Sequence, residues 1–113
     1  MDNQLTQEIA LLHDRVCRGL SDPKRIIILY ALHERPRYVS ELADELEMPQ
    51  PTVSRHLKIL RDCSLVKTNR EGAAVYYAIN DERIIQALDL MRAMLRDRVM
   101  QQARLVAAPN DAE

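Results

Sequence analysis

Apolar residues return every three or four positions from the start of the chain, at Leu5, Ile9, Leu12, Val16 and Leu20. That spacing gathers them on one face of an amphipathic helix. Ser21-Asp22-Pro23 ends this helix and opens another, because Ser21 or Asp22 can cap and Pro23 suits a first helical turn. The second helix carries Ile26, Ile27, Leu29, Tyr30 and Leu32 almost all round, which predicts a central place in the core. Arg35-Pro36-Arg37 breaks it. A short helix follows from about Ser40 to Glu47, with Leu42, Ala43 and Leu46 inward and Ser40 as the candidate cap. After the turn at Glu47-Met48-Pro49, a fourth helix runs from Gln50 to about Cys63 on an inner stripe of Val53, Leu57 and Leu60. A short helix, a tight turn and a second helix make a helix-turn-helix.

The pattern then changes period. Leu65 to Asn69 and Ala74 to Ile79, rich in Val, Thr, Tyr and Ile, predict two strands. Arg70-Glu71-Gly72-Ala73 lies between them as a hairpin tip, with Gly72 free to take a positive φ. Asn80-Asp81 is the expected cap of a last long helix striped by Ile84, Leu88, Met91 and Leu95. The expected fold is therefore mainly α with a small β-hairpin, a winged helix-turn-helix of five helices and one two-stranded wing. One domain over 1–108 and a polar tail over 109–113 complete the organisation.

Composition narrows the function. Apolar residues are 47% and charged residues 29% of 113, a globular balance with room for one core. With no Trp or Phe, that core rests on aliphatic side chains. No run is long enough to span a membrane, and Met-Asp-Asn-Gln-Leu-Thr-Gln-Glu lacks the basic start and apolar stretch of a signal peptide, so the cytoplasm is expected. A formal net charge of −1 argues against bulk-charge binding of polyanions. It leaves room for a local patch. Between Gln50 and Glu71, Arg55, Lys58, Arg61, Lys67 and Arg70 face only Asp62 and Glu71.

At about 100° per residue, Gln50, Pro51, Ser54, Arg55 and Lys58 fall opposite the inner stripe of the fourth helix. Gln and Arg pair bidentately with base edges in the major groove, while Lys and Ser suit phosphate. Lys67 and Arg70 on the hairpin are placed like a wing beside that helix. A solvated helix face is the bland alternative, and the surrounding helix-turn-helix weighs against it. There is no Gly-rich phosphate loop and no nucleophile with a base at recognisable spacing, which argues against an enzyme.

Gly-Leu-Ser-Asp-Pro-Lys-Arg (19–25), Glu-Leu-Ala (41–43), Pro-Thr-Val-Ser-Arg-His-Leu-Lys-Ile-Leu-Arg (51–61) and Val-Tyr-Tyr-Ala-Ile (75–79) resemble the ArsR/SmtB-family repressors. The resemblance covers roughly Leu5 to Val99. It implies a small homodimeric winged-helix repressor that leaves double-stranded operator DNA, and with it the nucleoid, when an inducer binds. It also implies DNA contacts from Gln50, Ser54, Arg55 and His56, and Pro51, Thr52, Lys58, Lys67 and Arg70 complete the expected DNA-binding set. For His56 a structural hydrogen bond is the alternative, since it sits off the exposed face. Pro49 departs from the family, which usually has a capping Ser there. Two family metal sites lack their ligands in this chain. Tyr38 and Ser40 stand where one site has thiolates, and Arg83 and Met94 stand where the other has imidazoles, although Asp81 and Asp97 remain. No metal or cofactor is therefore expected. His13 and Cys17, four apart, are two ligands and not a site.

Two further expectations concern regulation and assembly. Cys17 and Cys63 are read either as small apolar fillers or as a thiol switch that closes through a disulfide, a polysulfide bridge or a thiophilic metalloid. If they only pack, the inducer is a metal or a small molecule. The stripes Leu5, Ile9, Leu12 and Val16, with Ile84, Leu88, Met91 and Leu95, exceed the needs of one small core and predict a homodimer interface. A winged-helix module for protein contacts is the remaining alternative to DNA binding.

Overall fold

The computed structural model describes residues 1–107, so the tail expected over 109–113 lies outside the described residues. The first compact unit spans Met1–Glu82. It opens with α1 (Asn3–Leu12), which runs on through a π-helical turn, His13–Cys17. Asp2 caps α1 by accepting from the Gln4 amide. Then come α2 (Pro23–Glu34), β1 (Arg37–Tyr38), α3 (Val39–Leu46), α4 (Gln50–Asp62), β2 (Val66–Glu71) and β3 (Ala74–Ile79). The second unit holds α5 (Arg83–Ala107).

Capping explains most boundaries. Asp22 Oδ1 accepts from the Lys24 amide at 2.9 Å with Pro23 in the first turn of α2. Helix α3 starts differently from expectation: Glu41 Oε1 reaches back to the Tyr38 amide at 3.1 Å, and Ser40 lies inside the helix. A carboxylate three residues into a helix can satisfy the free amide at its start, which displaces the expected Ser cap. The Asn80 side-chain amide donates to the Ser64 carbonyl at 2.9 Å, tying the end of β3 to the approach to β2.

The expected two-stranded wing is a three-stranded antiparallel sheet in the order β1-β3-β2. The segment Arg35-Pro36-Arg37 that breaks α2 delivers Arg37 and Tyr38 to the free edge of β3, opposite Tyr77 and Tyr76. Arg37 is buried, and its guanidinium donates to the carbonyls of Ala31 and Arg35 and to the carboxylates of Glu34 and Glu45. A buried charge is tolerable only with partners of this kind. On the far side β2 pairs with β3 from Val66↔Ile79 to Glu71↔Ala74, so Arg70 and Glu71 belong to the strand. The turn is only Gly72-Ala73, and Gly72 takes φ 60°, the conformation a Gly-first two-residue hairpin requires.

The core of the first unit is aliphatic. Ile28 and Leu29 of α2, Leu42 of α3 and Val53, Leu57 and Leu60 of α4 are fully buried. Helix α4 packs on α2, α3 and β2, so the expected inner stripe is the one observed. Gly19 marks a close approach: a Cβ there would stand 2.6 Å from Leu65 Cδ1 and 3.5 Å from Cys63 Cβ. In α5, Ile85 and Leu88 are buried, whereas Leu90, Met91, Met94, Leu95, Val99 and Met100 are exposed. Among the described residues, no helix is long and apolar enough to cross a membrane.

Candidate nucleic-acid interface

Helix α4 enters without a side-chain cap, with Pro49 at its N-cap and Pro51 in its first turn. The carbonyl of Pro49 accepts from the Thr52 and Val53 amides at 3.0 and 3.1 Å. Proline suits this position because its ring presets φ and the amides of the first turn have no helical acceptor. The family's usual capping Ser is therefore dispensable to the helix start.

Once Val53, Leu57 and Leu60 are buried, Gln50, Pro51, Ser54, Arg55 and Lys58 are all exposed, as the helical phase requires. Thr52 is half-buried. The exposed set lies along the first turns of α4, where the helix dipole favours an anion. No acidic residue stands in that first turn. The wing extends this basic surface, since Lys67 and Arg70 are exposed on β2. They do not act as one patch, however. Strand side chains alternate, so Lys67 shares a face with Asn69 and Arg70 shares the other with Thr68.

His56 is a correction. It is 4% exposed, and its Nδ1 lies 3.2 Å from Arg25 Nη1, so the side chain is not free to touch DNA. Its i+3 spacing from Val53, and its place one residue before Leu57, turn it into the molecule. Arg25, itself buried, also donates from Nε to the Gly19 carbonyl at 2.9 Å and from Nη2 to the Arg18 carbonyl and Ser21 Oγ. Asp22 Oδ2 lies 4.0 Å from His56 Nε2. Arg25 carries no hydrophobic signal, so the periodicity of the second helix does not mark it. The Asp-Pro-Lys-Arg run was the available clue.

The two cysteines sit in unlike surroundings. Cys17 is exposed at the end of the π-helical turn, and Cys63 is buried at the C-cap of α4. Arg18 Nη2 approaches Cys63 Sγ at 3.6 Å. Of the expected dimer stripe, Leu5, Ile9 and Leu12 are exposed and Val16 half-buried; Met91 and Leu95 are exposed and Ile84 half-buried. Leu88 is a second correction, because at 4% exposure it offers no apolar surface to another copy. Among the described residues, no three His, Cys, Asp or Glu side chains gather where they could hold a metal ion.

Comparison with known proteins fits this geometry. The family described as bacterial regulatory protein, arsR family, matches residues 22–68, from the α2 cap into β2. The transcriptional regulator MJ1325 of Methanocaldococcus jannaschii, itself uncharacterised, is 38% identical over 77 residues, covering 67% of this chain and 86% of that protein. The transcriptional repressor SmtB of Mycobacterium tuberculosis is 41% identical over 78 residues, 69% of this chain. The chain spans only 58% of SmtB's length. Among solved structures, the homodimeric winged helix-turn-helix DNA-binding domain of Mb0332 from Mycobacterium bovis, a possible ArsR-family regulator, superposes with a TM-score of 0.77. It is 25% identical, with 89% of this chain and 93% of that one covered. These relatives are transcription regulators, not enzymes. The fold, the helix-turn-helix and the relatives agree that this chain belongs to the arsR family of bacterial regulatory proteins.

Proposed function

We propose that the chain is a homodimeric, sequence-specific repressor that reads operator DNA with α4 and leaves it when an inducer binds. One observation carries the reading: α4 buries its aliphatic stripe and holds Gln50, Ser54, Arg55 and Lys58 outward with no acid in its first turn. Arg55 and Gln50 read base edges, Ser54 and Lys58 hold phosphate, and Lys67 and Arg70 of the wing grip the backbone from separate faces. Pro51 and Thr52, at the entry of the helix, complete the DNA-contacting set. The exposed apolar faces of α1 and α5 support pairing of two copies, with Leu5, Ile9, Leu12, Met91 and Leu95 between them. Two recognition helices then meet major grooves about 34 Å apart on a near-palindrome. Residues 1–108 act in this reading as one DNA-binding and dimerisation domain, working in the cytoplasm on the nucleoid.

The inducer belongs to the same proposal. A switch through Cys17 and Cys63 is supported by the exposure of Cys17 and by the Arg18 guanidinium beside the Cys63 sulfur, at the C-terminal end of α4. One thiolate would take a sulfur atom from a polysulfide, releasing the shortened polysulfide chain. The second thiolate would displace hydrosulfide from that persulfide to close a disulfide, the two thiol protons leaving to solvent. The burial of Cys63 favours a second reading, in which both cysteines only pack and a metal or small molecule is the signal.

The test is a fluorescence-anisotropy titration onto the DNA upstream of the protein's own gene, once reduced and once after polysulfide. Salt-sensitive binding lost on treatment and restored by reductant is the expected result. Binding untouched by polysulfide removes the cysteine switch and keeps the repressor. No binding in either state removes the DNA reading in favour of a protein-contact module. Arg55→Ala should cost about 1–3 kcal/mol at its cognate base pair, whereas Lys58→Ala should weaken operator and random DNA alike. Equal losses from both variants on both DNAs would contradict the role given to Arg55.

A further inference from the structure

The buried pair of Arg25 and His56 is explained by neither core packing nor DNA contact. A guanidinium has five donors and no acceptor, so the 3.2 Å contact requires His56 Nδ1 to be the unprotonated nitrogen. The hydrogen then sits on Nε2, which faces Asp22 Oδ2 at 4.0 Å. The same guanidinium is fastened to the Arg18 and Gly19 carbonyls and to Ser21 Oγ. One neutral imidazole thus joins the buried side of α4, behind its exposed set, to the segment that leads from the first helix into α2.

We propose that Arg25 and His56 are positioning residues, a proton-operated seat that holds α4 in its DNA-reading posture only while His56 is neutral. This rests on the reading of α4 as the DNA-contacting helix. A proton on Nδ1 removes the acceptor and sets an imidazolium against a guanidinium that cannot give up its charge. The repulsion is resolved when α4 shifts away from α2. Gln50, Ser54, Arg55 and Lys58 move with it, and DNA affinity falls as the pH falls. The charged groups facing His56 are Asp22 at the α2 cap, Lys24 and Arg25 on α2, and Arg55 on α4 itself. Burial lowers the imidazole's affinity for the proton most; Asp22 raises it, and Arg25, Arg55 and Lys24 lower it further. The neutral form is therefore the resting one near neutrality, with release on the acid side of the ordinary histidine value, about 6.5.

The direction separates this device from bulk electrostatics. Acidification adds positive charge to any protein and so strengthens its attraction to phosphate. A loss of affinity at low pH and constant salt is the opposite result. His56→Asn is the informative variant, because an amide oxygen can take the place of Nδ1 toward Arg25 without titrating.

Two measurements test the proposal. The first follows the imidazole nitrogens and the α4 amides of the ¹⁵N-labelled wild-type chain by NMR from about pH 8 to about pH 5, a window spanning the ordinary histidine value. The Nε2–H tautomer at the high end, with Ser54, Arg55 and Lys58 amides shifting at the His56 midpoint, is the expected result. The second measures affinity for a labelled duplex selected from a random-sequence pool by the wild-type protein at the high end of that window. Wild-type affinity should fall at least about tenfold across it, as loss of a buried charge-assisted hydrogen bond implies, while His56→Asn changes little. Amides of α4 indifferent to His56, or one pH profile shared by both proteins, would overturn the proposal. Failure to select any duplex would sink the DNA reading alone, since the NMR titration still decides whether His56 seats α4.

Discussion

Helices α1 and α4 carry the same sequence signal and lead opposite structural lives. Both repeat an aliphatic residue every three or four positions. In α4 that stripe is spent inside the chain, and Leu57 has no exposure at all. In α1 no residue is buried, and Ile9 is 47% exposed. Amphipathic periodicity therefore says that a face will be covered and not by what. The turned-out face of α4 is polar and basic, suited to a charged partner. The apolar face of α1 has no cover within the described chain, and an exposed apolar stripe of this kind marks an interaction surface.

The sharpest way to break this contrast is to shave each stripe. Leu57→Ala should cost about 2–5 kcal/mol in urea unfolding, as a buried leucine deletion that leaves a cavity. Ile9→Ala should change chain stability by no more than about 0.5 kcal/mol, as exposed sites do, while shifting the dimer–monomer balance in sedimentation equilibrium. If Ile9→Ala unfolds the chain as readily as Leu57→Ala, the α1 stripe is a core stripe and the comparison fails.

A middle-sized effect comes from the junction between the two regions. Gly19→Ala forces a methyl toward Leu65 Cδ1 at 2.6 Å. The end of that side chain can yield, so the loss should fall toward the lower end of the about 1–3 kcal/mol typical of overpacking. Thermal melting reads it, and an unchanged Tm would mean the close approach is not rigid.

The smallest effects are electrostatic. His56 has its proton affinity lowered in the fold, so the unfolded chain binds the proton more readily. Stability from this group is thus complete above about pH 6.5 and declines as pH falls toward the folded value. Asp22 and Glu41 act lower on the scale. The Lys24 amide holds the Asp22 carboxyl below its usual range, and the Tyr38 amide does the same for Glu41. Their contribution is present above the ordinary carboxylate range and lost as pH falls through the folded values. Asp22→Ala should therefore lower Tm slightly near neutrality and flatten its fall in acid. A wild-type Tm constant from neutrality down to that range would contradict the His56 assignment, and one constant on further acidification through it would contradict the carboxylate assignment.

Long periodic elements were legible in the sequence because each repeats its signal several times. The helix-turn-helix, the hairpin and the outward set on α4 all follow from spacing. What escaped was short or ionic. Strand β1 has two residues, too few for any alternation, and its place on β3 depends on how Arg37 folds under α2. Arg25 and Arg37 carry no hydrophobic signal, yet both are buried, each with two backbone carbonyls among its partners. Such acceptors have no residue type. Leu88 failed for a related reason: a stripe does not say where along a 25-residue helix the cover ends.

Among the described residues, strand β2 is an outer strand of the sheet, flanked only by β3. An outer strand is a template on which another molecule's strand can assemble, and charged side chains are a common guard against it. Lys67 and Arg70 project to opposite sides of β2, so the arrangement that prevents them from forming one patch guards both approaches to that edge. Colloidal behaviour is thus written into the same two residues as the proposed grip on the DNA backbone. Replacing both with Thr should raise light scattering on storage even where no DNA is present, and replacing either alone should leave one side protected.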